Sequence, residues 1–592
     1  DLRMQNPYWI AYRNLRLNNK KRYMASAGLS YQILDWLNVA GRVRIDNTHS
    51  EYEGKLYASS SNTLTDGSSQ GHYTVNNGQY SQTYADVLVN INKRIQDFTI
   101  VANIGASYSG VTSKELGYAG PIRETGIPNL FNVYDLDNAK KRATQVGWRE
   151  ATESIFASAE VGWKSMLYLT VTGRNDWASQ LTHSPQASFF YPSVGLSAVI
   201  TEMLKLPDWV DYLKVRGAFS SVGNPYPRFL TYPTYSYDAN KQDWKSQTNY
   251  PIGKLYPERT DSWEVGLDAT LFKDFKLSGS FYYANTYNQT FDPRLPVSSG
   301  YDKLYVQTGY VRNYGFEAML SYGHRWGDFG WDSSFTFSAN KNEIVELVKD
   351  YVHPETGKTY NVDKLELKTD EGRGFGKAKF ILKEGGTLGD LYTHADLKRD
   401  INGNILIDDS GNVTAIDNAG DIKLGSVLPK ANLAWNNSFS YKGINAGFLL
   451  TARLGGIVYS ATQAYLDLYG VSETSAAARD AGGVWINGRS RVNPQSFYEV
   501  VASQSGLPTY YTYSATNLRL QEAHIGYTVP RRWLGNVCDI NVSLVGRNLW
   551  MIYCKAPFDP EAVATTNNYY QGIDYFMMPS TRNIGFNIKI NF

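Results

Sequence analysis

The chain has 592 residues, more than one ordinary domain needs, so its length points to several domains or to one very large barrel or solenoid. Aromatic residues reach 14% (45 Tyr, 24 Phe, 14 Trp) and charged residues only 19%. The 58 basic and 56 acidic side chains leave a net charge of +2, which excludes a nucleic-acid partner as the reading of the whole chain and gives no sign of an acidic disordered tail.

Two cysteines, Cys538 and Cys554, exclude a disulfide scaffold and a four-cysteine zinc site. No apolar run approaches the ~18 residues that a spanning helix needs, and mean hydropathy is −0.39. A transmembrane β-barrel survives this test, because its strands alternate lipid-facing apolar with lumen-facing polar residues. The opening DLRMQNPYWIAYRN has no charged region followed by an apolar core, so an export signal is expected upstream or already removed.

In chain order the period-two pattern predicts strands over 21–33, 37–52, 79–93, 97–110, 151–163, 167–178, 189–201, 212–223 and 258–272. Further strands follow over 275–288, 311–324, 329–344, 430–441, 444–460, 514–529, 537–553 and 580–592, seventeen in all. Trp263, Val265, Leu267, Ala269 and Leu271 alternate with Ser262, Glu264, Gly266, Asp268 and Thr270. Ile584, Phe586, Ile588, Ile590 and Phe592 do the same with asparagine, glycine and lysine. A soluble sandwich alternates too, so the connections decide. Short joints such as 164–166, 273–274 and 442–443 take turns with long excursions such as 111–150, 345–429 and 461–513, as in an outer-membrane barrel with tight periplasmic turns and long outer loops. Trp163, Trp177, Tyr191, Trp263, Tyr283, Tyr322, Trp331, Tyr441, Tyr527 and Trp550 near strand ends are the expected interfacial girdles.

The predicted fold class is therefore all-β, a transmembrane antiparallel barrel. Counting sides back from a last strand that ends in the periplasm, the strand at 21–33 runs down from the cell surface. Single-chain bacterial barrels have even strand numbers, so an upstream segment is expected to supply more strands, with residues 1–20 forming an external loop and 21–592 the C-terminal barrel portion. Cys538 and Cys554 fall at opposite ends of one strand, about 50 Å apart at ~3.3 Å per residue, so both are expected as free thiols.

Several stretches carry a resemblance: VTGRNDWASQL (171–181), FYPSVGLSAVIT (190–201), YLKVRGAFSSVGN (212–224), PERTDSWEVGLDATLF (257–272), VRNYGFEAML (311–320), PKANLAWNNSFSYKG (429–443), ATNLRLQEAHIGYTVP (515–530), VSLVGRNLW (542–550) and MMPSTRNIGFNIKINF (577–592). Together and in this order they resemble the SusC family of TonB-dependent outer-membrane transporters, across most of the chain. The resemblance implies a barrel of 22 strands, five more than are read here, filled by an N-terminal plug that this chain does not show. It also implies a TonB-binding segment coupled to the TonB–ExbB–ExbD complex, a SusD-like lipoprotein lid, pairing of two such SusC–SusD units in the outer-membrane lipid, and active import of a glycan or an oligopeptide. A passive porin and a surface adhesin are the alternatives, and no cofactor is implied.

No enzyme is expected, since no nucleophile, base and oxyanion donor converge and the seven histidines form no zinc-hydrolase spacing. The lumen-facing carboxylates Glu160, Glu264, Asp268, Glu317 and Asp332 read as a wet barrel interior. Gly372, Gly374, Gly376 and Lys377 lack the strand and helix of a phosphate cradle. In DINGNILIDD (400–409), Asp400, Asn402, Asn404, Asp408 and Asp409 are weak calcium candidates. The EF-hand register fails, and Asn-Gly favours a plain hairpin. The substrate-binding candidates are Asn175, Asp176 and Trp177 at the end of an upward strand, with Trp485, Tyr569, Tyr570, Tyr575 and Phe576 in the outer loops, because rings with polar neighbours hold sugars and peptide side chains at low entropic cost.

Overall fold

The computed structural model describes residues 5–230, 235–238, 243–245, 249–250, 255–291, 303–304, 306–352, 357, 359–367, 376–565 and 571–591. One large antiparallel sheet of seventeen strands dominates it. Its first eight strands are β1 (Asn14–Leu34), β2 (Leu37–Tyr57), β3 (Gly71–Ile95), β4 (Phe98–Pro121), β5 (Arg142–Trp163), β6 (Leu167–Ala178), β7 (Phe189–Val199) and β8 (Val210–Asn224). The other nine are β9 (Glu258–Leu271), β10 (Phe275–Phe291), β11 (Val306–Trp326), β12 (Phe329–Glu346), β13 (Ala431–Tyr441), β14 (Ile444–Leu454), β15 (Asn517–Val529), β16 (Asp539–Cys554) and β17 (Asn583–Asn591). Each pairs with its neighbours in the chain, an up-and-down meander without crossovers.

Every expected strand is present, and the differences lie at the ends. Strand β3 runs over 25 residues where the alternation predicted fifteen. A bilayer needs only about ten residues of tilted strand, so the excess stands in water, where both faces are polar and the period-two signal fades. For the same reason β1 starts at Asn14, which makes residues 14–20 strand rather than external loop, after a short helix over Pro7–Arg13. Strand β14 stops at Leu454 instead of 460, because Gly455 and Gly456 take φ of +77° and +83°.

Tight turns join the strands on one rim. Lys442 and Gly443 take φ of +46° and +89°, the left-handed pair that matches the twist of a two-residue hairpin, and Phe272 and Lys273 take +52° and +65° in a three-residue turn between the paired Leu271 and Phe275. The opposite rim carries the long connections, and the two kinds alternate along the chain.

Register aligns the side chains in rows. Val215, Leu267, Gly279, Ala318, Phe337, Leu433 and Ala452 lie opposite one another across seven strands. The adjacent row, on the other face, is Arg216, Gly266, Ser280, Glu317, Ser338, Asn432 and Arg453. The apolar face is bare: Val265 is 60% exposed and Phe586 78%, a continuous band that water would not tolerate and lipid does. Most girdle aromatics share that face, but Tyr191 does not; its hydroxyl donates to Asp176 on the polar face. The largest buried clusters are built mainly by the long loops, around Phe380, Leu391, Tyr459 and Ile573 and around Phe497, Val501 and Leu507.

Among the described residues β1 pairs only with β2, and β17 only with β16. Most of β1 and all described side chains of β17 are exposed, so the sheet has an open seam between them. Cys538 and Cys554 flank β16 at opposite rims, and both are free.

Close packing of the sheet rests on glycines beneath aromatic rings. A Cβ on Gly315 would stand 2.3 Å from the Ala339 carbonyl oxygen and 2.5 Å from the Tyr282 hydroxyl. Gly315→Ala is expected to cost about 1–3 kcal/mol, seen as a lower temperature for loss of the compact, heat-modifiable form on electrophoresis.

Candidate functional site

The described residues of three long loops, over 347–430, 455–516 and 555–582, fold into a cap on the long-loop rim. A four-stranded sheet (Lys364–Leu367, Ala378–Lys383, Asp390–Thr393 and Ile422–Ser426) forms one part. A second sheet ties two loops together, as Ile457–Ser460 pairs antiparallel with Thr512–Ser514 and parallel with Ile573–Asp574. Ser460 caps the helix Ala461–Leu468 by accepting from the Gln463 amide at 3.0 Å, and its hydroxyl donates to Asp574 at 2.5 Å. Burial, with the Asp467 carboxylate second, pushes the Tyr511 phenol far above its ordinary range, so this hydroxyl is a permanent donor to Asp467 at 3.0 Å.

Two arginines on the polar face fasten the cap to the wall. Arg453 of β14 donates to the Val427 carbonyl at 2.7 Å. Arg519 of β15, 5% exposed, pairs with Asp559 at 2.9 Å and Glu561 at 3.2 Å. Burial works to raise the Asp559 pKa, but hydrogen bonds from Arg519 and the Glu561 amide outweigh it and hold the carboxyl below the usual range. Asp421 receives Lys364 and Lys383 at 2.7 and 2.8 Å, which hold its carboxyl far below the usual range.

Below these anchors the wall of β8 to β15 lines an open cavity of about 810 Å³, bordered by Arg216, Glu317, Thr336, Arg453, Asn517 and Glu561. Donors and acceptors alternate around it, with the carboxylate of Glu561 delivered by the cap. Arg216 reaches Asp268 at 2.6 Å and Glu264 at 3.6 Å, which makes those carboxylates parts of the wall.

The structure separates the residues singled out by sequence. Asp176 faces the lumen, buried, and accepts from Arg174 at 2.7 Å. Asn175 and Trp177 stand on the opposite face, Asn175 in register with the exposed Ile155. Trp485 is exposed on a small hairpin under the Arg491 guanidinium, 4.6 Å from the ring. Phe576 is exposed at a φ of +51° and packs on Tyr465 at 5.3 Å and on Tyr575 at 5.3 Å. Tyr569 and Tyr570 lie outside the described residues, as do Gly372, Gly374 and Phe592. Phe497, Tyr498 and Tyr511, aromatics of the loop over 455–516, are buried in the cap core.

Asp400 spends its carboxylate on the amides of Asn402 and Asn404, at 2.9 and 2.8 Å, and on the Asn404 side chain at 3.0 Å. Asp408 repeats the arrangement on Ser410 and Asn412, both at 2.9 Å. These are two hairpin turns in tandem, with Gly403 and Gly411 at φ of +83° and +80°. Sequence reasoning missed Arg453, Arg519 and Asp559; the polar-face parity of the two arginines was the available signal.

A wide antiparallel sheet with a lipid face, a polar lumen face and a cap over one rim defines an outer-membrane β-barrel receptor. The family described as "TonB dependent receptor-like, beta-barrel" matches residues 3–549, and the chain belongs to it. TonB-dependent receptor P3 of Formosa agariphila is 23% identical over 625 residues, covering 99% of this chain and 60% of the relative. TonB-dependent receptor SusC of Bacteroides thetaiotaomicron is 24% identical, covering 67% of this chain and 40% of its own length. The chain thus matches 60% of the length of the first of these curated relatives and 40% of the second. Among solved structures, the RagAB peptide transporter superposes with a TM-score of 0.74 at 17% identity, over 99% of this chain and 63% of that one, which shows the shared fold.

Removing the Arg519 side chain strands Asp559 in a buried site. Arg519→Ala is expected to cost about 3–5 kcal/mol of cap stability, read as faster nicking of 555–582 by protease added to intact cells. Asp421 and Asp559 have folded pKa values below the unfolded one, so their contribution is full above about pH 4 and is lost as pH falls through the folded values. Hydrogen exchange in the cap peptides, corrected for intrinsic rate, is expected to accelerate below pH 4 and stay level from pH 5 to 8.

Proposed function

We propose that this chain is the C-terminal barrel portion of a SusC-like importer that brings a glycan or an oligopeptide across the outer membrane, driven through TonB, ExbB and ExbD. The observation that carries the reading is the open seam. Seventeen strands with two unpaired edges in lipid leave rows of backbone groups without partners, at several kcal/mol each. An upstream segment supplying five strands and the plug closes the wall at 22, a strand number that suits a plugged lumen, and the greater length of the relatives supports it.

In this reading a SusD-like lipoprotein closes the outer mouth as a lid, and two such pairs form a dimer. The likeness to TonB-dependent receptor SusC supports TonB-driven import, and the likeness to the RagAB peptide transporter keeps the oligopeptide as one of the two substrate classes. The test is uptake of labelled oligosaccharides and oligopeptides by cells carrying the intact transporter, with and without an uncoupler. Uptake that collapses with the proton-motive force is the expected outcome. Uptake that survives makes the protein a passive porin, and surface binding without uptake makes it an adhesin.

A further inference from the structure

The lumen face of β2 to β6 carries a second set of groups, apart from the cavity beneath the cap. Register places Thr48, Tyr80, Ser113 and Trp148 in one inward row near the outer mouth. The next rows down are Asp46, Gln82, Val111 and Glu150, then Arg44, Tyr84, Ser109 and Thr152, then Arg42, Asp86, Ser107, Ser154 and Asp176. From Tyr80 to Asp86 the rows climb about 20 Å of wall.

Two features recur on this wall. Guanidiniums lie on rings: Arg228, from the loop after β8, stacks 3.7 Å from the Trp148 centroid, and Arg44 lies 5.9 Å from that of Tyr84. Tyr80 meets Trp148 edge-on at 6.4 Å and is itself 40% exposed. Guanidiniums are also matched by carboxylates: Arg228 with Glu150, Arg22 with Asp46 at 2.5 Å, Arg42 with Asp86 at 2.7 Å and Arg174 with Asp176 at 2.7 Å. The carboxylates of Asp46 and Asp86 are buried beneath their partners, whose side chains stay about two-thirds exposed.

Among the described residues Arg44, which lies on the Tyr84 ring, is the one guanidinium of this set without a carboxylate partner; the other charges are matched, and a charged ligand that broke one of those pairs would carry a penalty. A neutral ligand rich in hydroxyls meets no such penalty. Planar donors beside planar acceptors suit adjacent hydroxyls, and an open ring suits the apolar face of a sugar. We infer that this wall is a binding track for a neutral oligosaccharide, with Tyr80 as the open ring and the Arg228–Glu150 pair, held by Trp148, as donor and acceptor for neighbouring hydroxyls. The inference rests on the importer reading and selects the glycan over the peptide.

The test uses the intact transporter in outer-membrane vesicles, with maltohexaose, cellohexaose, xylohexaose and mannohexaose set against alanine and glycine hexapeptides. Tyr80→Ala is expected to weaken binding of the favoured hexasaccharide about tenfold, while Tyr80→Phe, which keeps the ring, stays near wild type. Heat-modifiable mobility identifies any misfolded variant, for which Glu150→Gln, isosteric and expected to weaken the same sugar, is the substitute. Binding of no hexasaccharide, binding of the hexapeptides instead, or sugar binding indifferent to both variants overturns the track. Uncoupler-sensitive uptake that persists in any of those cases leaves the importer reading standing; loss of that sensitivity removes the importer reading itself.

Discussion

The constraint on which the structure depends is the obligation of every backbone N–H and C=O in a bilayer to find a partner inside the protein. Antiparallel pairing of neighbours along the chain meets it locally, strand by strand, and tight turns such as the two-residue Lys442–Gly443 and the three-residue turn over 272–274 hold the register that makes it work. Once register is set, alternation sorts side chains without further choice: Val265 and Phe281 meet lipid, and Glu264 and Tyr282 meet the lumen. The same obligation makes the edges of β1 and β17, unpaired among the described residues, the most informative feature of the sheet, since both lie in the part of the molecule where partners are mandatory.

A wall of this kind needs little dry core, because lipid takes the role that packing plays in a soluble domain. The dry core sits in the cap, where Phe380, Leu391, Tyr459 and Ile573 pack in water-facing loops. Two different solvents thus act on one chain. The cap is joined to the wall through charge as well as chain, by Arg519 on Asp559 and Glu561 and by Arg453 on the Val427 carbonyl. A buried arginine with two carboxylates is a costly device for stability alone, and here it fixes which loop stands over the lumen.

The polar face carries the chemistry. Around the cavity under the cap, Arg216, Glu317 and Arg453 provide donors and acceptors at separate points. On the wall of β2 to β6, the charges occur as neighbouring pairs interleaved with rings. Both walls pair charges, Arg216 with Asp268 on one and Arg42 with Asp86 on the other, and the second interleaves its pairs with rings. The exposed Trp485 and Phe576 lie on the cap, outside both.

The alternation of apolar and polar residues, the taking of turns by short and long connections, and the Asn402-Gly403 hairpin were legible in the sequence because each is a local property, decided by side chains one to four residues apart. All seventeen strands were found that way, and so was the hairpin over 400–404. Strand ends such as Gly71–Ile95 were not legible, because outside the bilayer both faces are wet and the pattern that marks a strand disappears. The site was harder. Asn175, Asp176 and Trp177 were legible as a group, but only the register of β5 on β6 decided that Asp176 alone turns inward. The meeting of Arg519 with Asp559, forty residues away in the chain, and of Arg228 with Trp148, eighty away, belongs to the tertiary structure, because loop closure across the barrel leaves no trace in the local spacing of residues.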